Sequence, residues 1–201
     1  MSFFDAIEKI VDEKGTSLCV GLDPWFEPER RAALGLDACF DAALEANLRI
    51  VEATAPFAAC YKPNLAFYEA FGPRGYELLE RTVEAMPEGM PWIADAKRGD
   101  IDSTAAAYAQ AIFGNLGADA VTLSPYMGKD GADAFLAWKD TGLFLLCKTS
   151  NPGATAFQAL DVGGEPLFVR VARECSSWSP RVGLVVAGND PEALRAVRAA
   201  A

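Results

Sequence analysis

Residues 92–108 read WIADAKRGDIDSTAAAY, and the fold follows from how this stretch divides. Its first part is short and apolar and ends in alternating charges at Asp95, Lys97 and Asp100. From Ser103 onward, small and apolar residues such as Ala107, Ala111 and Phe113 recur at helical spacing. A strand therefore passes into a helix near Asp102 or Ser103. On a strand, Asp95 and Lys97 share a face.

The same unit recurs along the chain. Strands are expected at 17–23 (SLCVGLD), 57–65 (FAACYKPNL), 91–96 (PWIADA), 118–124 (ADAVTLS), 142–148 (GLFLLCK) and 182–187 (VGLVVA). They read as parallel strands, apolar on both faces. Helical spacing marks 37–54, 76–86, 103–116, 132–138, 166–175 and 191–201, with a short amphipathic helix at the N-terminus built on Phe3, Phe4, Ile7, Ile10 and Val11. Asp190 followed by Pro191 is an N-cap and a first-turn proline, and Gly114 and Gly117 are expected to close the helix before the fourth strand.

Alternating strands and helices give either an open doubly wound sheet or a closed barrel. Polar residues recur at the C-terminal ends of successive strands: Asp23, Lys62, Asp95 with Lys97, Ser124 and Ser150. Barrel enzymes gather their sites on that rim, and no GxGxxG or GxxxxGK follows any strand. The expectation is an α/β chain of the (β/α)8 TIM-barrel family, a single domain over 1–201. About six units are present where a full barrel has eight. The sequence runs out at VRAAA, inside the sixth helix, so the barrel is expected to be C-terminally incomplete, with unpaired edges at the first and sixth strands.

Composition narrows the chemistry. The chain has 201 residues, 51% of them hydrophobic, enough for a sizeable core. Eighteen basic against 28 acidic residues give a net charge of −10, which disfavours nucleic acid and anionic membranes as partners. Histidine is absent, so acid–base work falls to Asp, Glu, Lys, Cys or Tyr. The five cysteines form no CxxC pair, arguing against a zinc ribbon or disulfide framework and for a reducing compartment. Cys19, Cys60 and Cys147 lie in apolar runs and read as small core hydrophobes. The N-terminus carries acids where a secretory leader carries bases, and no apolar run approaches a membrane span. A cytoplasmic location is expected.

Taken singly, each polar position has a bland reading beside a functional one. Asp95, Lys97 and Asp100 read as a solvated salt-bridge cluster or as a pre-arranged field. Lys62 either emerges into solvent or sits near the core, in which case it needs a carboxylate such as Asp95 or Asp23. Asp23-Pro24 and Ser150-Asn151-Pro152-Gly153 read equally as turns. Their shared place on one rim favours a site.

In these residues the sequence resembles the orotidine 5′-monophosphate (OMP) decarboxylase family, in its longer bacterial-type branch. The resemblance is carried by CVGLDPWFE at 19–27, CYKPNLAFYE at 60–69, DAKRGDIDSTAAAY at 95–108, SPYMGKD at 124–130 and KTSNPGATAFQ at 148–158. It implies conversion of OMP to UMP and carbon dioxide with no metal or organic cofactor. Lys97 would protonate C6 of the pyrimidine and Asp95 would lie beside the substrate carboxylate, with Lys62 and Asp100 completing a Lys-Asp-Lys-Asp array. It further implies a homodimer in which Asp100, Ile101 and Thr104 reach the partner's site. Asp23 would hold a ribose hydroxyl, and Ser150 the pyrimidine amide edge. The family's 5′-phosphate grip, backbone amides with a glutamine and an arginine after the seventh and eighth strands, has no match here, so weak nucleotide binding is expected. Two other readings stay open: a magnesium-dependent sugar-phosphate decarboxylase or aldolase of a related barrel, and a non-catalytic partial-barrel binding module.

Overall fold

In the computed structural model, which describes residues 1–201, the chain divides into two units, Phe3–Ala96 and Lys97–Ala201. The first unit runs α1 (Phe3–Lys14), β1 (Cys19–Gly21), α2 (Pro28–Leu34), α3 (Leu36–Thr54), β2 (Cys60–Lys62), α4 (Leu65–Glu69), α5 (Arg74–Glu84) and the start of β3 (Ile93–Arg98). β1 and β2 are parallel, with Cys19, Val20 and Gly21 opposite Cys60, Tyr61 and Lys62. β2 passes the parallel order to β3 through bridges at Tyr61–Trp92 and Asn64–Asp95.

Helical periodicity builds the core of this unit. α3 buries Cys39, Phe40, Ala43, Leu44, Asn47 and Val51, one stripe at three- and four-residue steps. α5 buries Gly75, Leu78, Leu79 and Thr82 by the same rule. Gly75 is required by close approach, because a Cβ there would stand 1.9 Å from the Tyr68 carbonyl oxygen.

The second unit continues from the end of β3 through α6 (Asp102–Ala109), β4 (Ala120–Leu123), α7 (Asp130–Leu136), β5 (Gly142–Lys148), α8 (Leu167–Ser176), β6 (Val182–Val186) and α9 (Pro191–Ala200). β4 is parallel to β5, with Ala120 opposite Gly142, and β5 is parallel to β6, with Leu143 opposite Val182 and a bulge between Leu146 and Lys148. Cys147, Phe168, Ala172, Ala193 and Val197 pack as one core between β5 and the last two helices. Asp190 caps α9, its carboxylate accepting from Ala193 N–H at 3.0 Å. Arg181 ends α7 differently. Its guanidinium donates to the Leu136, Trp138 and Thr141 carbonyls, satisfying groups that a helix C-terminus leaves open.

Six parallel strands alternating with helices match the expected α/β architecture. Local departures from the sequence pattern have identifiable reasons. Residues 57–65 do not form one strand, because Asn64 caps α4 by accepting from Ala66 N–H at 3.1 Å and so ends the extended run. The proline-initiated α2 also escapes the periodicity, having no buried residue to mark a face. Gly114 does not close its helix: it sits inside a π-helical turn, Gln110–Asn115, where a Cβ would strike the Gln110 and Trp138 side chains. Gly117, at φ +68°, is the residue that ends it. Finally, burial on both faces holds for β4 but not for β1 or β6, which are partly exposed and have a strand partner on one side only. Cys19 is accordingly exposed, not a core residue, whereas Cys60 and Cys147 are buried as expected.

Candidate active site

At the end of β2, Lys62 meets Asp95 of β3, Nζ to Oδ2 at 3.0 Å. The Asp95 side chain is 9% exposed and that of Lys62 33%. Burial pulls the Lys62 pKa down, but the Asp95 charge and hydrogen bond, with a smaller contribution from Asp23, outweigh it and hold the ammonium above the ordinary lysine value. Of the two readings open for Lys62, the partnered one is realised. Its partner is Asp95.

Asp23 is engaged elsewhere, its Oδ1 accepting from the backbone N–H of Asn64 at 3.1 Å. This bond ties the segment after β1 to the turn after β2. A buried network that the sequence reading missed fixes the same place. Tyr68 of α4 donates its hydroxyl hydrogen to the Leu22 carbonyl at 2.9 Å. Asn47 donates to the Tyr68 hydroxyl and to Thr82 Oγ1, each at 3.1 Å. Tyr68 sits at helical spacing after Leu65 and reads as plain core; nothing in the pattern reveals its acceptor one residue before Asp23. Tyr68→Phe is expected to lower unfolding stability by about 1–3 kcal/mol, because it strands the buried Leu22 carbonyl without a donor. Urea unfolding checks the value, and a loss under 0.5 kcal/mol would mean that the network does not hold the Asp23 turn.

In the second unit, the motif residues occupy an irregular strand end. Lys97 is exposed and lies at φ +47°, the left-handed region, which costs a non-glycine residue roughly 1–3 kcal/mol. The period-two rule that placed Asp95 and Lys97 on one face therefore applies only as far as Ala96. Two bonds hold the irregular segment against β4: Lys97 N–H donates to Thr122 Oγ1 at 3.0 Å, and Ser124 N–H donates to the Arg98 carbonyl at 2.7 Å. Gly99 permits the approach, since a Cβ there would stand 3.0 Å from Ser124 Cβ. Asp100 Oδ1 accepts from Ile101 N–H at 2.9 Å. Ile101 and Thr104 are exposed at the start of α6.

Ser150 is exposed in the turn after β5. A second missed group stabilises that turn. Gln158 Oε1 accepts from Thr149 N–H and its Nε2 donates to Thr149 Oγ1, both at 2.8 Å, while the Thr149 hydroxyl donates to Asn151 Oδ1 at 2.7 Å. Lys148 lies 3.8 Å from Asp190 at the head of α9. The rim positions thus resolve into a buried Lys62–Asp95 pair with Asp23 held nearby in the same unit, and in the other a strained Lys97 segment and a braced Ser150 turn.

Comparison with known proteins places the chain in a family. The model of the orotidine 5′-phosphate decarboxylase / HUMPS family matches residues 16–200. The chain belongs to this family. The orotidine 5′-phosphate decarboxylase of Roseiflexus castenholzii is 47% identical over 205 residues, spanning 100% of this chain and 74% of that protein. The protein of the same name from Thermomicrobium roseum is 43% identical over 98% of this chain and 71% of its own length. Among solved structures, Leishmania donovani OMP decarboxylase superposes with a TM-score of 0.90 at 44% identity, covering 100% of this chain and 76% of that one. The TIM-barrel family expected from the strand pattern is therefore correct. Neither the sugar-phosphate reading nor the binding-module reading finds support among the orotidine 5′-phosphate decarboxylase relatives.

Proposed function

We propose that the chain is an orotidine 5′-monophosphate decarboxylase, releasing carbon dioxide from C6 of the pyrimidine to give UMP. The observation that carries the reading is the Lys62–Asp95 pair, followed two residues later on the same strand by Lys97 in a strained backbone. Breaking the C6–carboxyl bond leaves its electron pair on C6, where the ring delocalises it poorly. A fixed ammonium stabilises that charge as it develops and needs no reorganisation at the moment of reaction. Lys97 then transfers a proton from Nζ to C6, and the neutral amine regains it from solvent. Asp95 faces the departing carboxylate, and its 3.0 Å pair with Lys62 holds it in place.

The remaining roles belong to the same proposal. Asp23 accepts from a ribose hydroxyl and Ser150 pairs with the pyrimidine amide edge. Asp100, Ile101 and Thr104 serve the site of a second copy of the chain in a homodimer. Exposure of Ile101 and Thr104 at the start of α6 supports this last assignment. The protein has no helix long and apolar enough to cross a membrane, and the reading needs only a small-molecule substrate.

The fall in ultraviolet absorbance as OMP becomes UMP tests the reaction class. Conversion is expected at the same rate in EDTA and in added Mg²⁺. Conversion that requires Mg²⁺ would overturn the cofactor-free mechanism.

A further inference from the structure

We propose that Cys19 and Cys60 form a reversible dithiol–disulfide pair, a modification site for hydroperoxides on β1 and β2. The mechanism above uses neither sulfur. The two residues stand directly opposite each other in the parallel register of β1 and β2. Neighbouring strands lie about 4.7–4.9 Å apart, inside the Cα separation of about 4.4–6.8 Å that a disulfide bridges. Residues directly opposite each other in parallel strands present their side chains on the same face, so the two sulfurs are neighbours on one side of the strand pair.

The pair is also asymmetric in the way that peroxide chemistry needs. Cys19 is exposed and Cys60 buried. Interaction with the neighbouring Cys60 thiol, opposed by partial burial and assisted by the Lys62 ammonium, holds the Cys19 thiol below its ordinary pKa; Asp95 and Asp23 oppose the shift. Thiolate character and access together select the attacking sulfur, and a neighbouring thiol resolves the product. The other cysteines lack this setting. Cys39, Cys147 and Cys175 are buried. Burial pushes the Cys147 thiol up to about 11 and that of Cys175 up to about 12.

The chemistry balances with hydrogen peroxide as oxidant. Cys19 Sγ attacks one peroxide oxygen, the O–O bond breaks, and the released hydroxide takes up the thiol proton as water. Cys60 Sγ then attacks the Cys19 sulfenic acid, the S–O bond breaks, and a second water leaves with the Cys60 proton. The two sulfurs lose two electrons and the peroxide gains them.

Peptide mapping of the peroxide-treated 201-residue chain under non-reducing conditions tests this independently of turnover. The expected product is a Cys19–Cys60 crosslink, lighter by two hydrogens and reversed by dithiothreitol. Cys19 should be consumed at least about tenfold faster than Cys147. In Cys60→Ser, the reaction should stop at a Cys19 sulfenic acid that dimedone traps. Oxidation of Cys19 without the crosslink in the wild-type chain, or oxidation no faster than at Cys147, would overturn the proposal.

Discussion

Lys97→Ala is expected to lower OMP turnover by at least about 10⁴-fold, because it removes both the proton donor and the charge that stabilises the C6 carbanion. Folding should respond in the opposite sense when the replacement is glycine. Lys97 holds φ +47°, a conformation that a Cβ disfavours by roughly 1–2 kcal/mol and that glycine adopts freely. Lys97→Gly should therefore be more stable than Lys97→Ala by about 1 kcal/mol while being equally inactive. Thermal unfolding beside a turnover assay separates the two effects. Turnover within tenfold of wild type in either variant would remove Lys97 as the proton donor. Equal stability of the two variants would mean that the left-handed segment is not strained.

Removing Lys62 attacks the site through its charge balance. Lys62→Met takes the Lys62 ammonium away from the buried Asp95 carboxylate, and breaking a buried pair from one side costs about 3–5 kcal/mol. Lys62 keeps partial contact with water, so the lower end, about 3 kcal/mol, is expected, together with a large loss of turnover. The effect depends on pH in a defined direction. The folded-state pKa of Lys62 lies above its ordinary value of 10.5, so the pair's stabilisation is complete below that value and fades as pH rises through the folded one. The gap in urea midpoint between wild type and Lys62→Met should therefore narrow as the pH is raised beyond 10.5. A gap that stays constant or widens would show that the ion pair is not its source. Lys62→Met/Asp95→Leu should recover much of the stability but none of the turnover, since packed apolar residues can replace a buried pair.

Most of the strand order was legible in the sequence because burial writes it directly. GLFLLCK at 142–148 is continuous and apolar, and β5 occupies those residues. The six strands fall within or across the expected runs, with β3 extending to Arg98. What stayed hidden depends on side chains that act on the backbone. Asn64 reads equally as strand or cap until Ala66 N–H is seen on its carboxamide oxygen. The left-handed turn at Lys97 has no signature in a residue that is not glycine. Its causes, the Thr122 hydroxyl and the space left by Gly99, lie on another strand and in a missing side chain.

The site was legible to a similar depth. The sequence demanded a carboxylate for a buried Lys62 and named Asp95 and Asp23 as candidates; distance decides for Asp95. Tyr68 and Gln158 were not recoverable, because a tyrosine at a core spacing and a glutamine in a loop reveal nothing about which carbonyl or hydroxyl they will meet. Cys19 was misjudged because the apolar run around it implied a strand covered on both sides.

The central claim is that this chain removes the C6 carboxylate and protonates the same carbon. Its most direct test is a single turnover in D₂O with EDTA, the protein in excess over OMP carrying ¹³C in its carboxylate, followed by NMR. The account predicts that the label leaves as carbon dioxide and bicarbonate, and that the UMP formed carries deuterium at C6, with neither event in Lys97→Ala. Label retained in OMP by the folded wild-type chain would contradict it.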